Sequence, residues 1–224
     1  MRFIKTLLYF IYILIISTIL IPIDLIFKFD EDKIYMFIKK VCTKLLHYTK
    51  VDMDINIYPL KDSSLIVANH ESLMDIVVLI ALLDNRLYFV AKKELKKIYL
   101  LSYWGKRIDC MFIDRENLRQ SMTIITKAAT LLKEDKDIVI FPEGTRSKED
   151  MEFKPGSFKI ASMAQKSILS ITLRNNYNIL PSLFKKVSKP VFYMHEVINY
   201  DQYKKIEIVD LAKNIQTTVS SIKK

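Results

Sequence analysis

Short apolar stretches alternate with longer amphipathic ones from about Val51 to the end of the chain. The short stretches are rich in branched and aromatic residues and are flanked by polar residues, which is typical of β-strands. The predicted strands are Leu65–Ala68, Leu87–Ala91, Met111–Ile113, Ile138–Phe141 and Ile168–Leu173, with Val191–Val197 as a possible further strand. The predicted helices are Ser72–Leu83, Leu118–Leu132, Ser157–Gln165 and Ile208–Ile222. This alternation favours an α/β fold, with a largely parallel central sheet flanked by helices, formed by one domain over residues 51–224.

An apolar segment precedes this domain. Leu7–Ile23 contains no charged residue, and a helix needs about 17 to 20 apolar residues to cross a bilayer. The next segment repeats apolar residues at helical spacing and carries lysines largely on its other face, as a helix in a membrane interface does. Its apolar residues are Ile34, Phe37, Ile38, Val41, Leu45 and Leu46. We therefore predict a two-helix membrane anchor over residues 1–50.

Other interpretations of these segments stay open. Arg2 and Lys5 suit a cleaved signal peptide, although no small-residue cleavage site follows the apolar run. The first segment also fits a single transmembrane span, and the second fits an ordinary amphipathic helix that faces the core. More lysines follow the run than precede it, so we expect the domain to face the cytoplasm, at a bacterial inner membrane.

The net charge of +10 at pH 7 favours anionic partners, namely phospholipid head groups, an acidic carrier protein or nucleic acid. Nucleic acid is the weakest of these, because the most apolar segment suits lipid and no nucleic-acid motif is present. The two cysteines, Cys42 and Cys110, are too few for a disulfide framework and favour a reducing compartment. Of the three glycines, Gly144 and Gly156 fall within Phe141–Gly156, either for close approach to a ligand or for ordinary turns.

The segment from Asn69 to Asp75 follows a predicted strand and opens a predicted helix. His70 should therefore lie at the carboxyl end of the sheet, with Asp75 about one helical turn further on. A carboxylate bound to one imidazole nitrogen fixes the tautomer, so that the other nitrogen can take a proton from a hydroxyl. The alternative is that His70 caps the helix and Asp75 is a surface residue.

A second polar segment, Phe141–Ser147, also comes directly after a predicted strand. Gly144 permits a tight loop whose N–H groups face an anion, Arg146 offers a planar fork for phosphate, and Thr145 adds a hydroxyl. Lys154, before Pro155 and Gly156, supplies another cation. The alternative is a solvated loop that contains a pair between Glu143 and Arg146.

A third segment ends the predicted strand Met111–Ile113 with Asp114 and Arg115. Because parallel strands end at the same edge, Arg115 should place a second cation beside the other two segments. The alternative is a surface pair between Asp114 and Arg115.

The order Asn-His-x4-Asp, then Phe-Ile-Asp-Arg, then Phe-Pro-Glu-Gly-Thr-Arg resembles the glycerophospholipid acyltransferase family, and in particular its 1-acylglycerol-3-phosphate acyltransferase branch. The resemblance covers roughly residues 64–173, including Ala91–Leu95 and Lys154–Gly156. It implies an α/β fold and transfer of a fatty acyl group, from acyl-CoA or acyl carrier protein, to the hydroxyl of a lysophospholipid at a membrane. No bound cofactor and no metal site are implied.

The resemblance also implies residue roles. His70 would be the general base and Asp75 would orient it. Arg115 and Arg146 would hold the phosphate of the acceptor. Glu143 would fix the acceptor or position Arg146, and Gly144 and Thr145 belong to the same substrate-binding segment.

The chain departs from the family pattern at two places. The family usually has a glycine shortly before the Phe-Ile-Asp-Arg strand, where this chain has Asp109 or Cys110. A fourth block usually carries prolines, but Ser167–Ile171 has none. This second departure leaves the fit around the acceptor or the acyl chain undetermined.

Several alternatives remain for the activity. The acceptor could be glycerol 3-phosphate or a lyso-aminolipid, or the protein could bind membrane lipid without catalysis. Cys110 could form an acyl-enzyme intermediate, although no histidine is paired with it in sequence. His47 and His195 are interpreted as structural, and three scattered histidines lack the spacing of a metal site.

Overall fold

The computed structural model describes residues 2–222; Met1 of the predicted anchor and Lys223 and Lys224 of the predicted domain lie outside them. Its centre is a seven-stranded sheet with the order β1-β7-β6-β2-β5-β3-β4. The strands are β1 (Asp54–Asn56), β2 (Ser64–Ala68), β3 (Leu87–Lys92), β4 (Met111–Ile113), β5 (Asp137–Ile140), β6 (Ser167–Arg174) and β7 (Val191–Met194). All neighbouring pairs are parallel except β6 with β7, which confirms the predicted α/β fold.

Helices cover both faces of this sheet. They are α1 (Arg2–Phe27), α2 (Glu31–Thr49), α3 (Met74–Leu82), α4 (Tyr99–Arg107), α5 (Leu118–Lys133), α6 (Lys159–Ala164), α7 (Tyr200–Tyr203) and α8 (Ile208–Ser220). The predicted helix Ser157–Gln165 begins instead as a 3-10 turn, Pro155–Phe158, because Pro155 can start a helix but gives it no backbone donor. The sequence analysis did not predict β1 or α4.

Side chains that alternate along the strands pack into two cores, one on each face of the sheet. Ile66 and Ala68 of β2 face α2 and α3, whereas Leu65 and Val67 face α5, α6 and α8. All five residues of β2 are buried, as expected for a central strand with helices on both sides. The carboxyl ends of five parallel strands, β2 to β6, therefore meet at one rigid edge.

The two departures from the family pattern have structural explanations. Asp109 has a φ of 59°, the left-handed conformation that a glycine adopts easily, and its carboxylate accepts a 2.7 Å hydrogen bond from Arg86. Asp109 therefore takes a backbone conformation at this position that a glycine would adopt without strain. The segment Ser167–Ile171 belongs to β6 and pairs along its whole length with β2, so prolines there would remove donors from the ladder.

The N-terminal helix α1 is long and apolar enough, from Phe3 to Phe27, to cross a membrane. It nevertheless packs along much of its length against the protein. Tyr9 donates a hydrogen bond to the carbonyl of Val41 in α2, and the buried carboxylate of Asp24 pairs at 2.7 Å with Arg107 of α4. The opposite side of α1 leaves apolar side chains exposed, among them Ile4, Leu7, Leu8, Ile11, Leu14, Ile15 and Ile19.

Candidate active site

His70 lies two residues beyond the end of β2, where the chain turns into α3. Its Nδ1 is 2.7 Å from the Oδ2 atom of Asp75, and its side chain is 14% exposed whereas that of Asp75 is fully buried. Because an ionised carboxylate can only accept, Nδ1 carries the proton of this hydrogen bond. The Nε2 atom is then unprotonated and can accept a proton from a bound hydroxyl.

Asp75 is held by more than the imidazole. Its Oδ2 atom also accepts hydrogen bonds of 2.8 Å from the backbone N–H groups of Glu71 and Ser72. Its Oδ1 atom accepts a 2.9 Å bond from the amide of Asn176. A buried charge needs such partners to offset its lost hydration, so the turn from His70 to Asp75 folds around this carboxylate.

The loop after β5 lies directly against His70. The ring of Phe141 stacks on the imidazole, with centroids 4.1 Å apart and planes 18° apart. The N–H of His70 donates to Oε2 of Glu143 at 2.9 Å, and the N–H of Ser147 donates to the carbonyl of His70 at 2.8 Å. The first and second sequence motifs therefore form one structural unit.

Arg115 reaches the same loop from the end of β4. Gly144 has a φ of +80°, and a Cβ atom built on it would lie 1.5 Å from Nη1 of Arg115. A glycine is therefore required here both for the turn and for the close approach of the guanidinium. Nη1 of Arg115 is buried and has no hydrogen-bond partner within residues 2–222.

A cavity of about 530 Å³ opens beside this contact, lined by Arg115, Glu143, Gly144 and Thr145 together with the cations Lys92 and Lys154 and the carboxylates Glu94, Glu116 and Glu152. His70 does not line it, but Glu143 belongs to both parts of the site, since it lines the cavity and accepts the hydrogen bond from His70. The imidazole and the guanidinium thus lie on either side of the segment Glu143–Gly144.

Burial and neighbouring charges shift the pKa values of three side chains that line the cavity. Burial lowers the pKa of Arg115, and burial together with the nearby Arg115 and Lys92 lowers the pKa of Lys154. Burial raises the pKa of Glu143 from 4.5 to about 7, against the opposing effect of hydrogen bonds from backbone N–H groups. Cations that are desolvated and repel one another would gain stability from an anion between them, so the cavity is suited to a phosphate.

The structure brings together five of the predicted site residues, His70, Asp75, Arg115, Glu143 and Gly144. The other two, Thr145 and Arg146, have exposed side chains. Thr145 lines the cavity with an exposed side chain. Arg146 is exposed outside that lining, and its side chain forms no ion pair or hydrogen bond with any described part of the chain. The alternative of a pair between Glu143 and Arg146 is not found within residues 2–222, because Glu143 turns inward to His70.

The other candidates lie elsewhere. Cys110 precedes β4, at the opposite end of the sheet from His70, and burial raises its thiol pKa to about 12, which disfavours a reactive thiolate. Nε2 of His195 forms a 2.8 Å hydrogen bond with the hydroxyl of Thr172, and burial lowers the pKa of His195. Within residues 2–222 no group of His, Cys, Asp or Glu side chains is arranged to hold a metal ion.

Sequence reasoning missed two residues that organise the site, Arg174 and Asn176, and it placed Asn69 in the first motif without giving it a role. Asn69 pairs through its side-chain amide with both backbone groups of Leu173, at 2.6 and 2.7 Å, which ties the His70 turn to β6. Arg174 forms an ion pair with Asp150 in the loop after Ser147. Asn176 binds Asp75. Arg174 and Asn176 lie more than 20 residues in sequence from these partners, so no local motif marks them.

The family model and the related proteins that match this chain are all acyltransferases. Residues 49–174 match the family model described as Acyltransferase. A protein of Mycoplasma genitalium named "Probable 1-acyl-sn-glycerol-3-phosphate acyltransferase" is 36% identical over 71% of this chain and 65% of its own length. The 1-acyl-sn-glycerol-3-phosphate acyltransferase of Borreliella burgdorferi is 28% identical over 70% of this chain and 65% of its own length. The chain thus spans slightly less than two thirds of either relative.

The fold has a solved counterpart. The crystal structure of the 1-acyl-sn-glycerophosphate (LPA) acyltransferase PlsC from Thermotoga maritima superimposes with a TM-score of 0.70. The two sequences are 25% identical, and the match covers 98% of this chain and 95% of that one. The similarity therefore includes the N-terminal helices as well as the sheet.

Proposed function

This chain belongs to the acyltransferase family, and from that membership we propose that it transfers a fatty acyl group from a thioester donor to the free hydroxyl of 1-acylglycerol 3-phosphate, giving phosphatidic acid. The observation that carries the proposal is the hydrogen-bonded pair of His70 and Asp75, which Glu143 connects to the cavity that Arg115, Lys92 and Lys154 line. The names of the relatives support the choice of acceptor.

The reaction is a direct acyl transfer. Nε2 of His70 takes the proton of the acceptor hydroxyl while the hydroxyl oxygen bonds to the thioester carbonyl carbon. The tetrahedral intermediate then breaks its C–S bond, and the leaving thiolate takes the proton from the imidazolium. Asp75 keeps Nδ1 protonated throughout and stabilises the imidazolium, as a buried carboxylate does for a catalytic histidine.

The phosphate of the acceptor belongs in the cavity. Arg115 offers an unpartnered buried Nη1 atom, and Lys154 and Lys92 add charge. Thr145 and the backbone of Gly144 lie on the same lining, and Arg146, whose side chain has no partner within residues 2–222, closes over the outer side when phosphate binds. Glu143 holds the His70 turn against this binding site.

Residues 1–50 act as a membrane anchor in this proposal, and residues 51–224 form the acyltransferase domain. The exposed apolar side of α1 enters the cytoplasmic leaflet, and the buried side stays on the protein. The domain then faces the cytoplasm of a bacterial inner membrane. Both acyl-CoA and acyl carrier protein are acidic, so the basic chain suits either donor.

The test measures release of free thiol from acyl-CoA and from acyl carrier protein, with lysophosphatidate, glycerol 3-phosphate or a lyso-aminolipid added in turn. We expect release that depends on lysophosphatidate and yields phosphatidic acid, and a rate about 10²- to 10⁴-fold lower for His70→Ala. His47→Ala, in which an exposed histidine of α2 is changed, serves as the matched control. Release with another acceptor alone would reassign the substrate, and normal activity of His70→Ala would refute the mechanism.

A further inference from the structure

Asn176 lies directly beneath the catalytic carboxylate, although 101 residues separate it from Asp75. Its Nδ2 atom donates a 2.9 Å hydrogen bond to Oδ1 of Asp75, and both residues are fully buried. We propose that Asn176 is a positioning residue, which holds the Asp75 carboxylate in the orientation that His70 requires. This inference rests on the function proposed above.

The backbone brings Asn176 to this position at the carboxyl end of the sheet. Strand β6 ends at Arg174, and Asn175 then adopts a left-handed conformation with a φ of 58°. The chain turns into a short 3-10 segment, Asn176–Asn178, closed by a 3.1 Å hydrogen bond from the N–H of Ile179 to the carbonyl of Asn176. Because β6 is parallel to β2, this turn lies beside the turn that carries His70.

The two oxygens of the Asp75 carboxylate have different partners. Oδ2 accepts from His70 and from the N–H groups of Glu71 and Ser72. Oδ1 accepts only from Asn176 within the described chain. Rotation about the Cβ–Cγ bond would move Oδ2 away from the imidazole, and the bond from Asn176 opposes that rotation by holding the second oxygen.

The orientation of the amide is determined by chemistry. Nδ2 must face Asp75, since the reverse orientation would bring two acceptors together. The Oδ1 atom of Asn176 has no hydrogen-bond partner among residues 2–222 and is buried, which is unfavourable for stability. A leucine of similar size would avoid that cost, so the benefit of the amide lies in its bond to Asp75.

The kinetic test compares Asn176→Ala and Asn176→Leu with the full-length wild-type protein in the acyl transfer assay. We expect kcat to fall about tenfold while the KM for lysophosphatidate stays unchanged, because the altered contact reaches the base and not the phosphate. Asn178→Ala is the matched control, since Asn178 lies on the same turn and its amide contacts the carbonyl of Ser188 instead. In a protein that already carries Asp75→Asn, adding Asn176→Leu should not lower kcat further.

A second readout does not depend on activity. The chain has only three histidines, so the Nδ1–H proton of His70 can be identified in a histidine-labelled sample by its loss in His70→Ala. We expect this signal to shift and to exchange faster with water in Asn176→Leu, and to stay as in wild type in Asn178→Ala. A folded Asn176→Leu variant with an unchanged signal and unchanged kcat would overturn the inference. If the wild-type protein is inactive but the His70 signal of Asn176→Leu still differs from that of wild type, only the proposed function is refuted.

Discussion

At the scale of single residues, the proposed phosphate site depends on the contact between Arg115 and Gly144. Arg115→Ala should raise the KM for lysophosphatidate by about tenfold or more, because a hydrogen bond to a charged group is lost. Arg146→Ala should have the smaller effect, since the Arg146 side chain is exposed outside the cavity lining. Steady-state kinetics with varied lysophosphatidate measures both, and a larger effect of Arg146→Ala would contradict this order. Arg119→Ala, on the exposed side of α5, is the control cation.

Gly144→Ala extends the same prediction, because its Cβ atom would need the space of the Arg115 guanidinium and would also strain the positive φ. It should therefore raise the KM as Arg115→Ala does. Gly156→Ala is a matched control, since a Cβ atom there meets nothing within 4 Å.

Glu143 makes the stability of the protein depend on pH. Its pKa is raised from 4.5 to about 7, so between these values the unfolded chain has lost a proton that the folded protein retains. The free energy of unfolding should therefore fall as the pH rises through this window, by at most about 1.4 kcal/mol per pH unit. Glu143→Gln should remove this part of the pH dependence in urea unfolding curves, whereas the exposed Glu149→Gln should not. Equal slopes for wild type and Glu143→Gln would disprove the shift.

Much of the site was predictable from the sequence, because its main residues directly follow predicted strands. His70 and Asp75 share one turn, and Arg115 and Glu143 follow predicted strands that end at the same edge. Asn176 was not predictable, because its contact with Asp75 depends on the register of β6 beside β2 and on a turn without periodic pattern. The sequence also left open a solvent-exposed pair between Glu143 and Arg146, because it does not show that Glu143 is buried.

At the scale of elements, the helices and strands with the most buried residues were the ones that the sequence predicted. The central strands were found because both of their faces are apolar, whereas β1 has three exposed residues and no pattern. The sequence did not indicate α4, in which only Ser102 is buried. The antiparallel pairing of β7 follows from the connection after β6, which holds only short 3-10 turns and no crossover helix.

The exposed side of α1 gives a prediction for this element. Leu8 and Ile15 are 60% and 55% exposed, so replacing both with Asp should leave the buried contacts of α1 intact. The double variant should bind anionic liposomes more weakly in flotation assays, because charges on this face oppose entry into lipid. Val209→Asp replaces an exposed apolar residue on the otherwise polar exposed side of α8 and should not alter binding. Undiminished flotation of the double variant would exclude this side of α1 as the membrane contact.

At the scale of the whole molecule, the remaining question is how α1 lies in the membrane. Its 26 residues would extend about 39 Å, which is enough to cross a hydrocarbon core of about 30 Å. A crossing would separate the N-terminal half of α1 from α2, where Tyr9 contacts Val41, and would break the buried pair of Asp24 with Arg107 if the C-terminal end moved with it. Such a separation leaves a buried charge unpaired and is strongly unfavourable. We therefore predict that α1 lies in the plane of the cytoplasmic leaflet.

Single cysteines at the two ends of α1 test this orientation. Lys5→Cys and Lys28→Cys place thiols at exposed positions, whereas burial raises the thiol pKa of both Cys42 and Cys110 to about 12 and keeps these native thiols unreactive. In inverted membrane vesicles, a membrane-impermeant maleimide should label both variants, because both ends of an in-plane helix face the cytoplasm. In right-side-out vesicles it should label neither until detergent is added. Labelling of one end from each side would instead mean that α1 crosses the bilayer and that its contacts with α2 and α4 are lost in the membrane.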